Sequence, residues 1–379
     1  MKYNTASIVI DTGFGDAGKG MVTDALCTRH SIPEHTIAIR FNGGHQAGHT
    51  VMLPDGRKHI HSSFPSGTLS GFRGYITEHC VIYPPGMMYE FDVLRGKRNK
   101  FAPQLIVHPL AIVTTPYDIR LGQVNEYVYQ HGSCGVGIGA TMNRHNEGRH
   151  QIHAVDLFSP FVLAQKMRAI AQDYGKLGII VLDDELDIYM EYCEAFRDHI
   201  GIAGYEYLTR YCNFVFEGAQ GVLLDKDHGT FPHVTYGNTT SKNALDTIKK
   251  IPLTFHDIDV YYVTRCYQTR HGNGPMSDER NLPLKNNEQE TNTTHHWQGV
   301  FRVGLFDPSL VEHGIRIDKS YHSSYDINTH LIITCIDHLD VYPYVGNESN
   351  ETLTDLKNSV YGLTNGIYTS SDPYSTFQA

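Results

Sequence analysis

A strand, a glycine-rich turn and a helix follow one another near the amino terminus, in the segment IDTGFGDAGKGM at residues 10–21. Gly13, Gly18 and Lys19 have the spacing of a phosphate-binding loop, G-x-x-x-x-G-K-[S/T]. Backbone N–H groups in such a turn converge on phosphate oxygens, and the positive end of the following helix favours the same anion. The segment therefore predicts an α/β protein with a phosphate site after its first strand. Gly20 stands where a hydroxyl residue usually binds magnesium.

Short apolar runs rich in β-branched residues alternate along the chain with helical candidates. The predicted strands are residues 6–10, 36–40, 105–113, 178–182, 214–217, 258–264 and 331–336. The predicted helices include residues 19–29, 157–174 and 184–200. This alternation favours a mainly parallel central sheet whose strand ends gather ligands at one edge. We expect residues 1–379 to form a single large domain, because no linker or low-complexity tract interrupts the sequence.

Composition excludes several classes of protein. The formal net charge of -10 argues against a nucleic-acid-binding surface, and no apolar run approaches the roughly 20 residues of a membrane span. The seven cysteines are an odd number and include no C-x-x-C pair. This pattern indicates reduced thiols in a cytoplasmic protein rather than a disulfide framework or a cysteine-based zinc site.

Asp16 lies within the predicted phosphate loop, where bound phosphate would repel its carboxylate unless that carboxylate has a task of its own. One such task is to replace the missing hydroxyl as a magnesium ligand, because Mg2+ prefers oxygen donors. Another is to accept a proton from a substrate nitrogen or oxygen during phosphoryl transfer. The candidate phosphate ligands around Asp16 are the backbone amides of Gly15, Gly18 and Gly20 and the ammonium group of Lys19.

A second glycine-rich segment, FNGGHQAGHTV at residues 41–51, also follows a predicted strand. Its glycines disfavour a regular helix, so the spacing of His45 and His49 does not indicate a metal site. Glycines instead permit the backbone to approach a ligand closely. A histidine in such a loop can protonate a leaving or bridging oxygen near neutral pH, which makes the segment a candidate for acid catalysis.

Two further segments carry polar side chains that suit a nucleotide. In FEGAQGVLLDKDHGTFPHVTYGNTT, at residues 216–240, a predicted strand leads into Gln220, whose amide can both donate to and accept from a purine or a ribose phosphate. The segment GSCGVGIGATMNR at residues 132–144 offers glycines together with Ser133, and Arg149 lies beyond it. Because glycine-rich turns are common, this last segment by itself leaves binding and a plain turn equally open.

Together and in this order, the segments resemble the motifs of the adenylosuccinate synthetase family. GFGDAGKG is similar to the family's W-G-D-E-G-K-G-K, and GGHQAGHT is similar to its G-G-H-N-A-G-H-T. FEGAQGVLLDKDHGTFPHVT is similar over nearly its whole length to F-E-G-A-Q-G-x-L-L-D-x-D-H-G-T-Y-P-x-V-T. TRHGNGP at residues 269–275 resembles T-R-V-G-A-G-P, and GSCGVGIG resembles T-T-G-R-G-I-G-P. The matches extend from residue 10 to the neighbourhood of residue 307.

The resemblance implies a ligase reaction in two steps. GTP phosphorylates the 6-oxo oxygen of IMP, and the amino group of L-aspartate then displaces the phosphate to give adenylosuccinate. Asp16 corresponds to the base that deprotonates the purine ring and, with the Gly48 carbonyl, to a magnesium ligand. His49 corresponds to the acid that acts on the 6-oxygen. Mg2+ as the cofactor and a homodimer as the assembly are implied as well.

The resemblance also implies the residues that bind the two acceptor substrates. For the purine nucleotide these are Gln46, Ser133, Cys134, Arg149, Gln220 and Thr235, with Arg149 reaching across a homodimer. For the amino acid they are Thr293, Thr294 and Arg302, in a segment where the family has a run of arginines. A single arginine can hold one carboxylate, so a glycine-like acceptor stays open beside aspartate.

The family's guanine-reading T-K-L-D segment corresponds to TCIDHLDV at residues 334–341, which fits it in two registers. Either Asp337 or Asp340 would pair with the base of the phosphate donor, and a cysteine or a histidine would replace the lysine. An aspartate can pair with the ring N–H and the amino group of guanine. GTP is therefore the expected donor, with ATP or dATP as the alternatives.

Three other functions are open to the sequence. A viral branch of the family makes 2-aminoadenylosuccinate from dGMP, but its members carry serine at the base position, whereas Asp16 here favours IMP. A non-catalytic nucleotide-binding switch would need the phosphate contacts but not Asp16 and His49 together. A nucleotide kinase would keep the transferred phosphate on its product and would not depend on an amino acid.

Overall fold

The computed structural model describes residues 3–29, 32–98, 101–129, 132–286, 290, 297, 299–347, 351–374 and 376–378. The strands in these ranges are β1 Thr5–Asp11, β2 Thr36–Arg40, β3 His49–Met52, β4 Lys58–His61, β5 Arg73–Ile76, β6 Val81–Ile82, β7 Leu105–Val107, β8 Ile112–Val113, β9 Gly201–Ile202, β10 Asn213–Glu217, β11 Asp257–Arg265, β12 Gln268–Arg270, β13 Arg302–Gly304, β14 Asn328–Thr334 and β15 Gly366–Thr369.

Nine of these strands form one sheet in the order β15-β14-β11-β1-β10-β2-β5-β7-β9, and every pair of neighbours in it is parallel. The hairpin β3–β4 and the pair β12–β13 are antiparallel and lie outside this sheet. In a parallel sheet the carboxyl ends of the strands lie at one edge, where ligands bind. The predicted α/β fold with a mainly parallel central sheet is confirmed.

Helices connect most of the parallel strands, as parallel pairing requires. The α-helices of the described residues are α1 Lys19–Arg29, α2 Pro84–Lys97, α3 Pro116–Tyr129, α4 Ile138–Asn146, α5 Pro160–Gly175, α6 Asp183–His199, α7 Lys242–Lys250, α8 Pro308–Lys319 and α9 Leu353–Ser359. The predicted helices at residues 19–29, 157–174 and 184–200 correspond to α1, α5 and α6. Helix α5 begins at Pro160, because the fixed φ of proline favours the first helical position.

The apolar core lies on both faces of the sheet. On β1, Ala6, Ile8 and Ile10 face one cluster, whereas Val9 faces the cluster that includes Val22 of α1. Burial of one such aliphatic side chain contributes about 1.5–3 kcal/mol. A further cluster gathers side chains from α2, α3, α5 and α6. The apolar runs thus hold the central strands in place, so that the loops at their carboxyl ends share one site.

Two of the predicted strands are wrong as continuous strands. Residues 178–182 form a loop between α5 and α6, although Ile179 and Val181 are buried and Ile180 is exposed. The alternation reports burial, whereas a strand also needs a neighbour to pair with. The predicted strand at residues 105–113 is divided into β7 and β8 near Pro109, because proline has no N–H for the ladder.

Three other expectations concern the chain as a whole. Within the described ranges, no helix combines the length and the apolar character needed to cross a membrane. Each of the seven cysteines is a free thiol, in agreement with the expected absence of a disulfide framework. That residues 1–379 form one domain stays a prediction.

Candidate active site

A cavity of about 1160 Å³ opens at the carboxyl edge of the central sheet. Its walls include the loops that follow β1, β2, β10 and β14 and the last residue of β11. Pockets that hold one drug-sized ligand commonly have volumes of about 300–1,000 Å³, so this cavity exceeds the usual size for a single ligand. The predicted site residues that line it are Gly15, Asp16, Gly18, Lys19, Gly20, Gln46, Gly48, His49, Ser133, Cys134, Gln220, Thr235 and Asp337.

The loop after β1 is organised by Asp11, which the phosphate-loop motif does not include. Its buried carboxylate accepts hydrogen bonds from the backbone amides of Gly13 at 2.8 Å and Ala17 at 3.1 Å. The Lys19 ammonium donates to the same carboxylate at 3.1 Å, and both side chains are almost fully buried. Lys19 is thereby held at the start of α1 with much of its charge balanced. An acidic residue directly before a glycine turn is the signal that could have indicated this anchor.

Gly20 replaces the usual hydroxyl residue because a side chain has no room at this position. A Cβ on Gly20 would lie 2.9 Å from the Cβ of His49 and 3.0 Å from the Oγ of Ser66. It would also lie 3.1 Å from the backbone carbonyl carbon of His49. Carbon atoms pack favourably at about 3.5–4.0 Å, so any side chain here would move the loop that carries His49. The second glycine-rich motif thus packs directly against the first.

His49 forms a buried pair with Glu217, a residue of the third motif that sequence reasoning did not assign to the site. The Nδ1 of His49 lies 2.6 Å from Oε1 of Glu217, which also accepts from the hydroxyl of Ser66. Burial lowers the pKa of His49 to about 4, despite the opposing effect of the carboxylate. Burial would raise the pKa of Glu217, but His49, Arg40 and Ser66 together outweigh it and lower that pKa to about 2. At neutral pH the pair is a neutral imidazole that donates from Nδ1 to a carboxylate.

Asp16 lies where the side chains of Arg265 and His271 approach the phosphate loop. Its backbone carbonyl accepts a hydrogen bond from Nε of Arg265 at 2.6 Å, and Nε2 of His271 lies 3.7 Å from its Oδ2. Burial raises the pKa of the Asp16 carboxyl, and His271 and Arg265 oppose the rise. A raised pKa makes the carboxylate a stronger base, and its poor solvation favours a cation beside it.

Backbone strain is concentrated around the cavity. Of the five non-glycine residues with positive φ in the described chain, four line it: Asp16, Gln220, Asn286 and Cys335, with φ values of 62°, 57°, 53° and 58°. The left-handed conformation costs a side-chain-bearing residue on the order of 1–2 kcal/mol. Such strain persists where the surrounding structure enforces it, commonly at functional sites.

Two glutamine side chains in the cavity wall have unsatisfied amide oxygens. The Oε1 atoms of Gln46 and Gln220 are buried and have no hydrogen-bond partner among the described residues. An unpaired buried acceptor costs roughly 1–3 kcal/mol. A bound molecule with N–H or O–H donors would satisfy both oxygens, so the wall fits a polar heterocycle or a sugar.

The segment that carries Ser133 and Cys134 is held by an acidic side chain from α3. Glu126 accepts hydrogen bonds from the backbone amides of Gly132 at 2.6 Å and Ser133 at 3.1 Å. Thr235 lines the same cavity from the third motif. A phosphate that used these amides would compete with the Glu126 carboxylate.

The two registers of the donor-base segment have different positions in the structure. Asp337 lines the cavity and accepts a hydrogen bond from Asn286 at 3.2 Å. Asp340 is 72% exposed, lies outside the lining and pairs with Lys285. Arg149 also lies outside it, 56% exposed and paired with Glu147. The binding roles of these residues stay predictions.

The predicted amino-acid site is only partly described. Arg302 forms an ion pair with Glu279 and donates from NH1 to the carbonyls of Gly272 and Gly274 at 3.1 and 2.9 Å. It is therefore not among the residues that line the cavity. Thr293 and Thr294 lie outside the described residues.

Sequence reasoning did not assign two arginines and a histidine of the cavity wall: Arg265, Arg270 and His271. The guanidinium carbon of Arg270 lies 4.3 Å from the centre of the Phe14 ring, and burial lowers the pKa of Arg270 to about 10. Cationic groups in a cleft attract polyanionic ligands such as nucleotides. The segment TRHGNGP, which contains two of these residues, was the available signal.

Known proteins match this chain over most of its length. The family model described as adenylosuccinate synthetase matches residues 8–346. The chain is 33% identical over 288 residues to the adenylosuccinate synthetase of Xylella fastidiosa, and 34% identical over 287 residues to that of Methylococcus capsulatus. Both alignments cover 72% of this chain but only 64% of the relative. With the adenylosuccinate synthetase of Teredinibacter turnerae, 32% identity over 335 residues covers 82% of this chain and 74% of the relative.

Two solved structures share the fold. The fully ligated adenylosuccinate synthetase from Plasmodium falciparum aligns with a TM-score of 0.76 and 18% identity, covering 97% of this chain and 98% of that one. The succinoaminodeoxyadenylate synthetase of cyanophage S-2L, bound to dGMP and to dATP as an energy donor, aligns with a TM-score of 0.65 and 18% identity. That alignment covers 100% of this chain and 95% of the phage protein. At this identity the likeness shows the fold alone.

Proposed function

The chain belongs to the adenylosuccinate synthetase family, and we propose that it is a ligase that joins L-aspartate to the 6-position of IMP at the expense of GTP. The proposal is carried by one observation: Asp16 and His49 line the same cavity as the candidate phosphate loop, and Glu217 contacts His49 from behind the wall. The cavity is larger than the usual pocket for a single ligand, which suits a reaction between two nucleotides. A switch that only binds nucleotide would need neither a partly buried base nor a histidine oriented by a carboxylate.

In the first step, the 6-oxygen of IMP attacks the γ-phosphorus of GTP, and GDP leaves. Asp16 takes the proton from the ring nitrogen N1, so that the electron pair moves onto the 6-oxygen and makes it the nucleophile. The raised pKa of Asp16 suits this task. Lys19 and the loop amides would hold the donor's phosphates, so the step depends on position and charge rather than on covalent chemistry by the protein.

In the second step, the amino nitrogen of aspartate attacks C6, and the phosphate leaves together with the 6-oxygen. His49 stabilises that oxygen as it is phosphorylated and again as it leaves. The pKa of His49 is about 4 in the protein alone. A phosphoryl anion beside the imidazole raises this pKa, and Glu217 stabilises the imidazolium that results. The transferred phosphate activates the oxygen and does not remain on the product.

Mg2+ fits the oxygen donors that line the cavity. The Asp16 carboxylate and the Gly48 carbonyl are hard ligands of the kind that magnesium prefers. The burial that raises the pKa of Asp16 also favours a cation beside its ionised form. When bound, the metal would neutralise charge on the donor's phosphates.

We assign the remaining ligands to the cavity wall. The purine nucleotide would contact Gln46 and Gln220, and its phosphate would contact Ser133, Cys134 and Thr235. The unsatisfied amide oxygens of the two glutamines support this assignment. Asp337 would read the base of GTP, with ATP and dATP as the alternative donors. Arg149 is exposed, which suits the proposed reach across a homodimer to the partner's nucleotide.

The proposed reaction can be tested directly with the purified protein. GTP, Mg2+ and IMP would be incubated with L-aspartate, with glycine or without an amino acid, and free phosphate and product mass would be followed. We expect phosphate release and adenylosuccinate only when IMP and L-aspartate are both present. Parallel reactions with dGMP, and with ATP or dATP, would identify the acceptor and the donor.

Each rival function predicts a different outcome. A phosphorylated nucleotide that accumulates without an amino acid would show a kinase. Nucleotide binding without turnover of any substrate pair would show a switch. 2-Aminoadenylosuccinate formed from dGMP, with no reaction of IMP, would show the viral type of reaction and overturn the preference that Asp16 suggests.

We expect Gly20→Ser to slow the reaction rather than to supply a new magnesium ligand. The added Cβ would displace His49, and a misplacement of about 1 Å can cost on the order of 100-fold in rate. The measurement is kcat, compared with that of Gly96→Ser. Gly96 is exposed on α2 and has no described atom within 4 Å of its added Cβ. A wild-type rate in Gly20→Ser would contradict the packing argument.

Arg302→Leu should raise the KM for aspartate at least about tenfold, because a charge-assisted hydrogen bond contributes roughly 1.5–3 kcal/mol. The KM values for IMP and GTP should change little. Glu279→Gln is the matched control, because it releases Arg302 from its ion pair without removing the guanidinium. Equal rises in all three KM values, in both variants, would show that Arg302 only supports the loop at residues 272–274.

A further inference from the structure

Two histidines and a glutamate are buried together between the hairpin β3–β4 and helix α2. His59 and His61 lie two residues apart on β4, so their side chains point to the same face of the strand. Glu90 approaches them from α2, and all three residues are at most 5% exposed. None of these three side chains lines the cavity described above. We propose that His59, His61 and Glu90 bind a Zn2+ ion that clamps the hairpin to the helix.

Two of the three ligand separations within this cluster fit a tetrahedral zinc site. The Nε2 of His59 lies 3.2 Å and the Nδ1 of His61 lies 3.5 Å from Oε1 of Glu90. With zinc–ligand bonds of roughly 2.0–2.1 Å, neighbouring ligands of a tetrahedral ion lie about 3.3–3.4 Å apart. Ligand atoms of all three residues lie within 4.8 Å of one another. Three protein ligands of this kind leave the fourth position to a water molecule.

His61 provides an independent reason to place an ion here. Its side chain is fully buried, and neither ring nitrogen has a hydrogen-bond partner among the described residues. The 3.5 Å from its Nδ1 to Glu90 is longer than an ordinary N–H···O hydrogen bond. Buried polar atoms are normally paired with protein, water or an ion. A zinc–nitrogen bond would supply the missing partner.

Glu90 is already oriented as a ligand by the backbone that follows β4. Its Oε2 accepts from the amides of Ser62 at 3.2 Å, Ser63 at 2.6 Å and Phe64 at 3.4 Å. The other oxygen, Oε1, is the atom near both histidines and shares the Ser62 amide with Oε2, at 3.2 Å. Contacts of this kind around a metal site fix the ligands and strengthen binding.

The effect of removing Lys97 would distinguish a zinc site from a hydrogen-bond network without a metal. Its ammonium lies 3.3 Å from Nδ1 of His59 and donates to the carbonyl of Lys58. When Nε2 of His59 binds zinc, Nδ1 must carry the ring proton, so the ammonium has to turn away. Its positive charge also opposes a dication nearby. Removal of Lys97 should therefore strengthen zinc binding.

The proposed zinc site would lie next to His49, the candidate acid. His61 is paired with His49 across the hairpin β3–β4, and zinc would hold that hairpin against α2. The inference does not depend on the proposed reaction, because zinc binding can be measured without any substrate.

The test uses the full-length purified chain, stripped with a chelator and then dialysed against ZnCl2. Zinc per chain is counted by inductively coupled plasma mass spectrometry, and the affinity is measured by competition with a chromophoric chelator. We expect one tightly bound zinc in the wild type and in the control His79→Asn. His79 is also a histidine beside a glutamate, Glu78. It is a suitable control because the ammonium of Lys250 already forms an ion pair with Oε1 of Glu78 at 2.6 Å, so that oxygen is not available to a metal.

His61→Leu and Glu90→Gln should weaken zinc binding at least about tenfold, since each removes a ligand. Lys97→Met should bind zinc more tightly than the wild type. Unfolding of Lys97→Met would be followed in parallel, because exposed cysteines and histidines of a misfolded chain also bind zinc. A gain of affinity with a wild-type unfolding temperature keeps the test decisive if the ligand variants fold poorly. The proposal is overturned if the wild type holds less than about a tenth of an equivalent of zinc. Unchanged zinc binding in His61→Leu and Glu90→Gln, or weaker binding in Lys97→Met, would also overturn it.

Discussion

Asp16→Asn should fold normally and lose at least about 1,000-fold in the rate of adenylosuccinate formation. General base catalysis contributes roughly 100- to 10,000-fold, and the same substitution removes a proposed magnesium ligand. Asparagine tolerates the left-handed backbone that Asp16 adopts, with φ of 62°, so the change isolates the charge from backbone strain. The measurement is single-turnover product formation from GTP, IMP and aspartate at saturating Mg2+.

Stability shows whether a loss of activity in Asp16→Asn reflects chemistry or misfolding. Because burial raises the pKa of Asp16 in the folded protein, its ionised form costs stability as the pH rises from the ordinary aspartate pKa through the raised one. Asparagine removes that cost. Without nucleotide or metal, the free energy of unfolding of the variant at neutral pH should therefore equal or exceed that of the wild type.

Asp337→Asn is the matched control for this substitution. Asp337 lines the same cavity, but its proposed contact is with the base of the donor. We expect a higher KM for GTP and a kcat within about tenfold of the wild type, because the lost contact would bind ground state and transition state alike. If Asp16→Asn instead retained a tenth of the wild-type rate, Asp16 would be neither the base nor an essential metal ligand.

His49→Asn should lower kcat at least about 100-fold, the usual scale of general acid catalysis. An asparagine can still hydrogen-bond to Glu217 but cannot carry a proton to the 6-oxygen. Glu217→Gln should also lose activity, because an amide no longer stabilises an imidazolium. Since the two residues would act as a unit, the double variant should be little slower than His49→Asn alone.

His45→Asn is the control for the second motif. His45 contacts the Val136 carbonyl at 3.1 Å, away from the Glu217 pair, so its loss should lower kcat less than about tenfold. Nuclear magnetic resonance titration of His49 adds an independent measurement. The pKa should rise above about 4 when nucleotide binds, because phosphoryl anions favour the imidazolium. A full wild-type rate in His49→Asn would remove His49 from the mechanism.

The sequence predicted where most strands and helices lie, but it did not predict where a buried apolar run is not a continuous strand. The strand, glycine turn and helix at residues 5–29 were predicted correctly, because their spacing depends on local backbone geometry. The loop at residues 178–182 was predicted as a strand, because burial alternates along it as in a strand. Alternation alone does not supply the neighbouring strand that hydrogen bonding needs.

The residues of the candidate site were also predicted only in part. Glycine-rich motifs indicated the residues that touch a ligand, and Asp16, His49 and Gln220 indeed line one cavity. The side chains that hold those residues in place stand inside the quoted segments, but their pattern did not assign them a role. Asp11 anchors the phosphate loop and Glu217 orients His49, each through a buried carboxylate.

The sequence by itself determined that this chain is an α/β protein with phosphate-binding turns after its strands, because turns and strand lengths follow from neighbouring residues. Only the tertiary structure decided which turns share a site. Glu217 lies 168 residues from His49 and reaches it because β10 is placed between β1 and β2 in the sheet. Strand order is set by packing over the whole sheet, and local patterns do not encode it.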